Sequence, residues 1–477
     1  MNGMVMKLPA DQRSIAPPHG HPITTGQEAM WFLQQVRPDS GSYNVAGAFN
    51  LHFPADITIL TSAIEAIVAR HEIFRSVFRT LGGSVRRFPL PALRPTGALD
   101  VLNVPDMSEE ALRNFARELA ERPFDLVHET PLRATLLRRG SSAPDILLIV
   151  AHHIATDDVT QRLVFRDVLT AYSARLSDAD CADAAGGNDF EALVGRERTY
   201  LASSEAAAAR TYWQRELDGI DTGVDLLTDL PRPAVYEYRG SEIPFTLPTE
   251  LAARLKEDTK GRGVTEFTYF MCVFQALLYR HGGQTDFVIG YPVSLRTSRA
   301  FRESFGCLIN TLPFRVSIDP NDSFETVLHR TSDKLWRALR HREYPLALIS
   351  RDLRLRPDPA RTGLLQALIT TNTSNQTDSF YSASLSDMRF VHAGLEVSVF
   401  YVSQQLGQDD LTLEVFRHED IVTGKLKYNS ALFSTDTARR LANDYLGLLD
   451  MAATHAWPRT MRELRGASDS PDEPKEA

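Results

Sequence analysis

The residues in this chain with the most capacity for chemistry are His152 and His153, followed at a short interval by Asp157 and Asp158. A histidine works as a general base near neutral pH. An acid four residues further on, across a tight loop, can hold that loop in shape. The histidines end the run Asp145-Ile146-Leu147-Leu148-Ile149-Val150-Ala151, which is apolar and rich in branched residues, as a strand buried on both faces is. Side chains alternate across a strand, so His152 and His153 must point opposite ways, one into a core and one toward a cleft. The residues alone leave two readings open, a structural pair and a catalytic base. Other common constellations are absent from the sequence: there is no Gly-x-x-x-x-Gly-Lys-Ser/Thr loop, no Gly-x-Ser-x-Gly elbow and no His-Glu-x-x-His motif.

The elements that position these residues follow from periodicity. Thr25 with Glu28 reads as a capping box opening an amphipathic helix through Trp31, Phe32 and Leu33. Trp31 and Phe32 are expected in the core. A strand over 43–53 precedes a helix over 57–71 with Leu60, Ile64, Ile67 and Val68 on one stripe. Strands are expected at 75–79, 84–88, 132–138 and 146–151, with helices at 107–121 and 159–174. A shift to Asp, Ala and Gly ending Gly186-Gly187-Asn188 marks a linker, and one long helix is expected from Phe190 to Leu217. Beyond it the mixture repeats, with helices at 250–260, 265–280, 324–340 and 435–453. The expected strands there are 243–247, 287–289, 312–316, 365–371, 397–402, 411–416 and 422–428.

With 477 residues the chain is too long for one ordinary core. The domain expectation is a flexible N-terminal segment (1–20), a first subdomain (21–180), a linker and connecting helix (181–215), a second subdomain (216–465) and a disordered tail (466–477). The net charge of -9 argues against a nucleic-acid partner. Cys181, Cys272 and Cys307 are too scattered for a metal or disulfide framework and read as reduced thiols, so a cytoplasmic location is expected. No apolar stretch reaches membrane-spanning length.

A series of motifs carries a resemblance. Thr25-Gly26-Gln27 through Leu33, Ser42-Tyr43-Asn44, Arg70-His71-Glu72-Ile73-Phe74-Arg75, Pro123-Phe124-Asp125-Leu126 and Pro131-Leu132-Arg133 precede the histidines. Ile289-Gly290-Tyr291-Pro292-Val293 with Arg296, Gly306-Cys307-Leu308-Ile309-Asn310-Thr311-Leu312-Pro313 and His341-Arg342-Glu343-Tyr344-Pro345-Leu346 follow them. In this order the motifs resemble those of the condensation domains of nonribosomal peptide synthetases, in the chloramphenicol acetyltransferase-like superfamily. The resemblance covers about residues 20–460.

It implies an α+β fold of two acetyltransferase-like subdomains, a V-shaped pseudodimer with the active-site tunnel between them. It implies an acyltransferase that moves an acyl, peptidyl or polyketide chain from the phosphopantetheine thioester of a carrier protein to an amine or hydroxyl acceptor. An amide or ester results, in natural-product biosynthesis. By position, His153 matches the catalytic histidine and His152 its packed neighbour. Asp157 matches an aspartate paired with the arginine that Arg296 matches, and Asn310 a residue near the tunnel. No cofactor is bound permanently, and no metal. The expected partners are a carrier protein as donor and a small or carrier-bound acceptor, with no nucleic acid, no membrane and a monomeric state.

Arg70, Glu72 and Arg75 are expected to form a structural network, and Tyr212 and Trp213 to pack on their helix. The chain departs from the family at Asp158, where glycine is usual. A helix N-cap is one reading of Asp158 and an altered acceptor site the other. The histidine pair disfavours a cyclising domain, and Asn310-Thr311-Leu312-Pro313 an epimerising one. Nothing resembles an attached adenylation or carrier domain, so a free-standing protein is expected. The alternatives are a non-catalytic recruitment module of the same fold and a coenzyme A-dependent acyltransferase.

Overall fold

The computed structural model describes residues 20–91, 98–140, 143–177, 189–220, 224–356, 358–374, 389–404 and 407–466. The N-terminal segment before Gly20, the glycine-rich linker, Cys181 and the polar tail lie outside these residues. The chain divides into two compact units.

Unit 1 comprises the residues up to Ser203, Ser294–Ile309 and Gln376–Gln404. It contains helices α1 (Thr25–Val36), α2 (Ile57–Arg70), α3 (Glu109–Glu121), α4 (Asp158–Leu176) and α5 (Asp189–Leu201). Its sheet is built from β1 (Asn44–Leu51), β4 (Asp100–Asn103), β5 (Leu132–Arg138), β6 (Asp145–His152), β11 (Arg389–His392) and β12 (Leu395–Val399). These six strands run in the order β11-β12-β1-β6-β5-β4. A separate hairpin pairs β2 (Ser76–Leu81) with β3 (Ser84–Pro89).

Strand β6 is the spine of unit 1. All eight of its residues are buried, and β1 and β5 flank it antiparallel. That is why its sequence is apolar without alternation. Each of its Leu, Ile and Val side chains contributes about 1.5–3 kcal/mol by leaving water. Asn44 stands opposite His152 in the register, so β1 begins where β6 ends.

Unit 2 holds Ser204–Val293, Asn310–Asn375 and the chain from Gln405. Its strands are β7 (Gly240–Thr246), β8 (Asp286–Ser294), β9 (Ile309–Ser317), β10 (Ala367–Ser374), β13 (Leu411–His418) and β14 (Ile421–Asn429). They form one sheet in the order β7-β14-β13-β10-β8-β9. Its helices are α6 (Ser204–Glu216), α7 (Thr249–Arg262), α8 (Glu266–Gly282), α9 (Phe324–Leu339), α10 (Leu346–Asp352), α11 (Thr435–Ala453) and α12 (Met461–Gly466). Helix α8 is buried without a break from Thr268 to Tyr279, so it is apolar on every face. It stops at Gly283, whose φ of +71° is the left-handed cap that glycine adopts without strain.

The structure departs from the sequence expectations at several points. The long helix expected over 190–217 is two helices, interrupted at Ala202-Ser203. The strand expected at 397–402 is β12, and it pairs with β1 in the sheet of unit 1. The span 216–465, expected as one subdomain, thus gives two segments to unit 1. Apolar periodicity specifies that a strand exists but not which sheet receives it. The α1 cap is Thr24 with Gln27, one residue before the expected pair: Thr24 Oγ1 accepts from the Gln27 amide, and Gln27 Oε1 from the Thr24 amide. Thr25 instead donates through its amide (2.7 Å) and hydroxyl (2.8 Å) to Glu197 of α5. Phe32, expected in the core, is 62% exposed, because the inward stripe of α1 runs through Gln27, Trp31 and Gln34.

Candidate active site

The two histidines do point apart. His152 is fully buried, against Tyr43 and Phe124. Its Nδ1 accepts from the Ile154 amide (3.1 Å), which places its proton on Nε2, facing Gln34 Oε1 at 3.2 Å. The Gln34 amide group donates in turn to backbone carbonyls, including that of Phe124. Burial, aided by the neighbouring His153 and Arg133, lowers the His152 pKa to about 3. His152 is therefore a neutral packing and hydrogen-bonding residue.

His153 emerges on the other side and is partly exposed. Its amide donates to the Tyr43 carbonyl (2.7 Å), which fixes the backbone. Its Nδ1 lies 2.7 Å from the Thr156 carbonyl oxygen. A carbonyl only accepts, so Nδ1 carries a proton, and in the neutral ring Nε2 is the nitrogen with the lone pair. Among the described residues Nε2 has no hydrogen-bond partner. A neutral ring in this tautomer can accept a proton at Nε2. Cys307 Sγ lies 3.7 Å from the same Nδ1. Burial first, and then Asp157, push the Cys307 thiol pKa up to about 12.

The loop that carries His153 is braced on both sides. Gln27 of α1 donates to the Ile154 carbonyl (2.7 Å). Asp157 then caps α4, its Oδ1 accepting from the Thr160 amide (2.8 Å). The Leu308 amide donates to Oδ2 (2.8 Å), and Arg296 donates to both oxygens, at 2.9 Å to Oδ1. Both side chains of this ion pair are nearly fully buried. Four donors satisfy the buried carboxylate, as a buried charge requires.

The other expected site residues stand as follows. Asp158 is the first residue of α4, not its cap; its side chain is 61% exposed and lies 3.2 Å from Arg162 one turn on. The cap falls at Asp157 because that residue has the extended backbone and the reach to the Thr160 amide. Asn310 lies in unit 2, where its amide nitrogen donates to the carbonyls of Arg342 (2.8 Å) and Tyr344 (2.9 Å). Its oxygen accepts from the Leu346 amide (3.1 Å). Asn310 thus fastens β9 to the turn before α10. Trp213 donates to the His341 carbonyl, and Tyr212 stacks on the His341 ring. Glu72 pairs with Arg75 and Arg87.

Sequence reasoning missed Gln34, Thr160 and Cys307 as neighbours of the histidines. A threonine three residues after a helix cap was a visible local signal for Thr160, whereas nothing in the sequence pointed Cys307 at His153. Among the described residues no group of three or more His, Cys, Asp or Glu side chains is placed to hold a metal ion. No helix among them is long and apolar enough to cross a membrane.

The chain is similar to known proteins along most of its length. It is 29% identical over 441 residues to phosphinothricin tripeptide synthetase PhsC of Streptomyces viridochromogenes, covering 91% of this chain and 39% of that protein. It is 26% identical over 444 residues to tyrocidine synthase 3 of Brevibacillus parabrevis, covering 91% and 6%. The chain thus spans only a fraction of the length of these relatives. In fold it is similar to the X-domain from teicoplanin biosynthesis, with a TM-score of 0.82 at 24% identity, covering 93% of this chain and 97% of that one. The condensation-domain family model matches residues 19–465, a span that takes in both sheets, the histidine loop and Arg296. That match, over nearly the whole chain, places this protein in the condensation-domain family.

Proposed function

We propose that the protein is an acyltransferase that forms an amide or ester bond, taking its acyl group from a phosphopantetheine thioester on a carrier protein. The observation that supports this best is the state of His153, with Nδ1 committed to the Thr156 carbonyl and Nε2 left as a base. In this reading Nε2 accepts the proton of the attacking amine or hydroxyl, or stabilises the charge that develops as it attacks the thioester carbon. The carbon–sulfur bond then breaks, and the proton lost by the acceptor ends on the pantetheine sulfur, which leaves as the thiol. Asp157 and Arg296 hold the loop, His152 packs behind it, and Asn310 fastens β9 to the turn before α10. In this reading the protein needs no cofactor of its own, draws its acyl group from a carrier-protein partner and acts as a monomer.

A starter condensation domain has been solved with C8-CoA, so coenzyme A is the competing donor. A second reading is recruitment, since the teicoplanin X-domain forms a complex with OxyB. One assay separates the three. Acyl-loaded carrier protein or acyl-coenzyme A is offered with a panel of amines and alcohols, products are detected by mass, and His153→Ala is run beside wild type. Transfer from the carrier that disappears in the variant supports the proposal. Transfer only from coenzyme A, or carrier binding without transfer, overturns it.

A further inference from the structure

Helix α4 does more than carry Asp157. Thr160, one turn into it, is fully buried, and its hydroxyl is saturated. It donates to the Gly306 carbonyl (2.7 Å) and accepts from the Gly306 amide (3.2 Å) and from Arg296 Nη2 (2.9 Å). One side chain thereby holds both backbone groups of a single residue 146 positions away. Gly306 has φ +137°, and an added Cβ would meet the Phe190 ring at 3.1 Å, so the position requires glycine and must be anchored from outside. Two residues further on, the Leu308 amide is held by Asp157 (2.8 Å). Between the two anchors sits Cys307, whose Sγ touches the Nδ1 edge of His153 at 3.7 Å.

We propose that Thr160 is a positioning residue for His153. Together with Asp157 it clamps residues 306–308 onto the α4 N-terminus, and this clamp seats Cys307 against the imidazole. The inference rests on His153 being the base. Its hydroxyl is taken up by Gly306 and Arg296, so Thr160 is not itself offered as a catalytic group. It acts by fixing the wall on which the imidazole rests. Losing the hydroxyl leaves the Gly306 amide and carbonyl without their partner, and the segment carrying Cys307 moves.

The test uses Thr160→Val, which keeps the shape, and Thr160→Ser, which keeps the hydroxyl. One readout is the rate of Cys307 alkylation by iodoacetamide, followed by peptide mass. The other is the division of any loss between kcat and KM in the carrier-dependent assay. The expected result for Thr160→Val is faster Cys307 alkylation and a kcat lower by roughly 10–100-fold with KM little changed, since displacement of about 1 Å costs rates of that order. Thr160→Ser recovers most of both. If valine prevents folding, Thr160→Ala, which adds no bulk, carries the same comparison. The proposal is overturned if a folded variant lacking the hydroxyl keeps wild-type alkylation and kcat, or if serine fails as badly as valine. Should wild type transfer no acyl group at all, the proposed function fails and the catalytic part of this inference with it, while the alkylation rates still decide whether Thr160 clamps residues 306–308.

Discussion

Replacing Arg296 with alanine removes two donors from Asp157 and leaves its carboxylate buried. Side-chain exposures of 5% for Arg296 and 2% for Asp157 mean that water does not take over. Two bonds to the carboxylate persist, from the Thr160 and Leu308 amides, which soften the loss without neutralising the charge. Breaking a buried pair from one side costs about 3–5 kcal/mol. For a unit of this size each kcal/mol moves the melting point by about 2–4 °C, so the first unfolding transition should fall by roughly 6–20 °C. The assay is urea and thermal unfolding of wild type, Arg296→Ala, Arg296→Met, Asp157→Asn and the Arg296→Met/Asp157→Asn double variant. Neutralising both partners should recover at least about 1.5 kcal/mol relative to the sum of the single changes, as coupled neighbours do. A loss below about 1 kcal/mol for Arg296→Ala, the size of an exposed pair, would refute the reasoning.

Three further outcomes are expected. His71 stacks on Phe305 at 3.6 Å, and burial lowers its pKa to about 4. The folded ring stays neutral while the unfolded one protonates near 6.5, so unfolding takes up a proton. The contribution is present above pH 6.5 and is lost as pH falls toward 4, by up to about 1.4 kcal/mol per pH unit. His71→Phe, which keeps the stack, should gain on wild type over that window in urea titrations; parallel curves would contradict the assignment. Asn310→Ala removes three hydrogen bonds to the 342–346 segment and should cost about 1–3 kcal/mol in unfolding of unit 2. Asp158→Gly removes an exposed i,i+4 pair and should change stability by less than about 1 kcal/mol. If Asp158 tunes the acceptor, that variant alters acceptor preference in the transfer assay; identical kinetics with every acceptor would leave it a surface residue.

Much of the site was legible in the sequence for a simple reason. A strand buried on both faces must be apolar throughout, so the run before His152 announced β6. The period of two then separated the histidines. Element types along the chain followed from periodicity in the same way, the helix expected at 265–280 among them. What escaped detection depends on contacts distant in sequence. Strands β11 and β12 sit in the sheet of unit 1 although they follow β10 in the chain, and no local pattern encodes that pairing. The short elements β4, α10 and α12 bury too few residues to register a period. At the caps, adjacent candidates such as Thr24 and Thr25, or Asp157 and Asp158, differ only in backbone angle and in which amide each reaches. The resemblance supplied Arg296 as the partner of Asp157, because that pair spans 139 positions. Cys307 carries no such signal.

The central claim is that His153 Nε2 is the base for acyl transfer. Its most direct test is single-turnover transfer from an acyl-loaded carrier protein to saturating amine, with wild type beside His153→Ala and His153→Gln. The account predicts correctly folded variants that still bind the carrier but transfer about 10²–10⁴-fold more slowly, the range expected for a lost general base. A folded His153→Ala that transfers at the wild-type rate would contradict it.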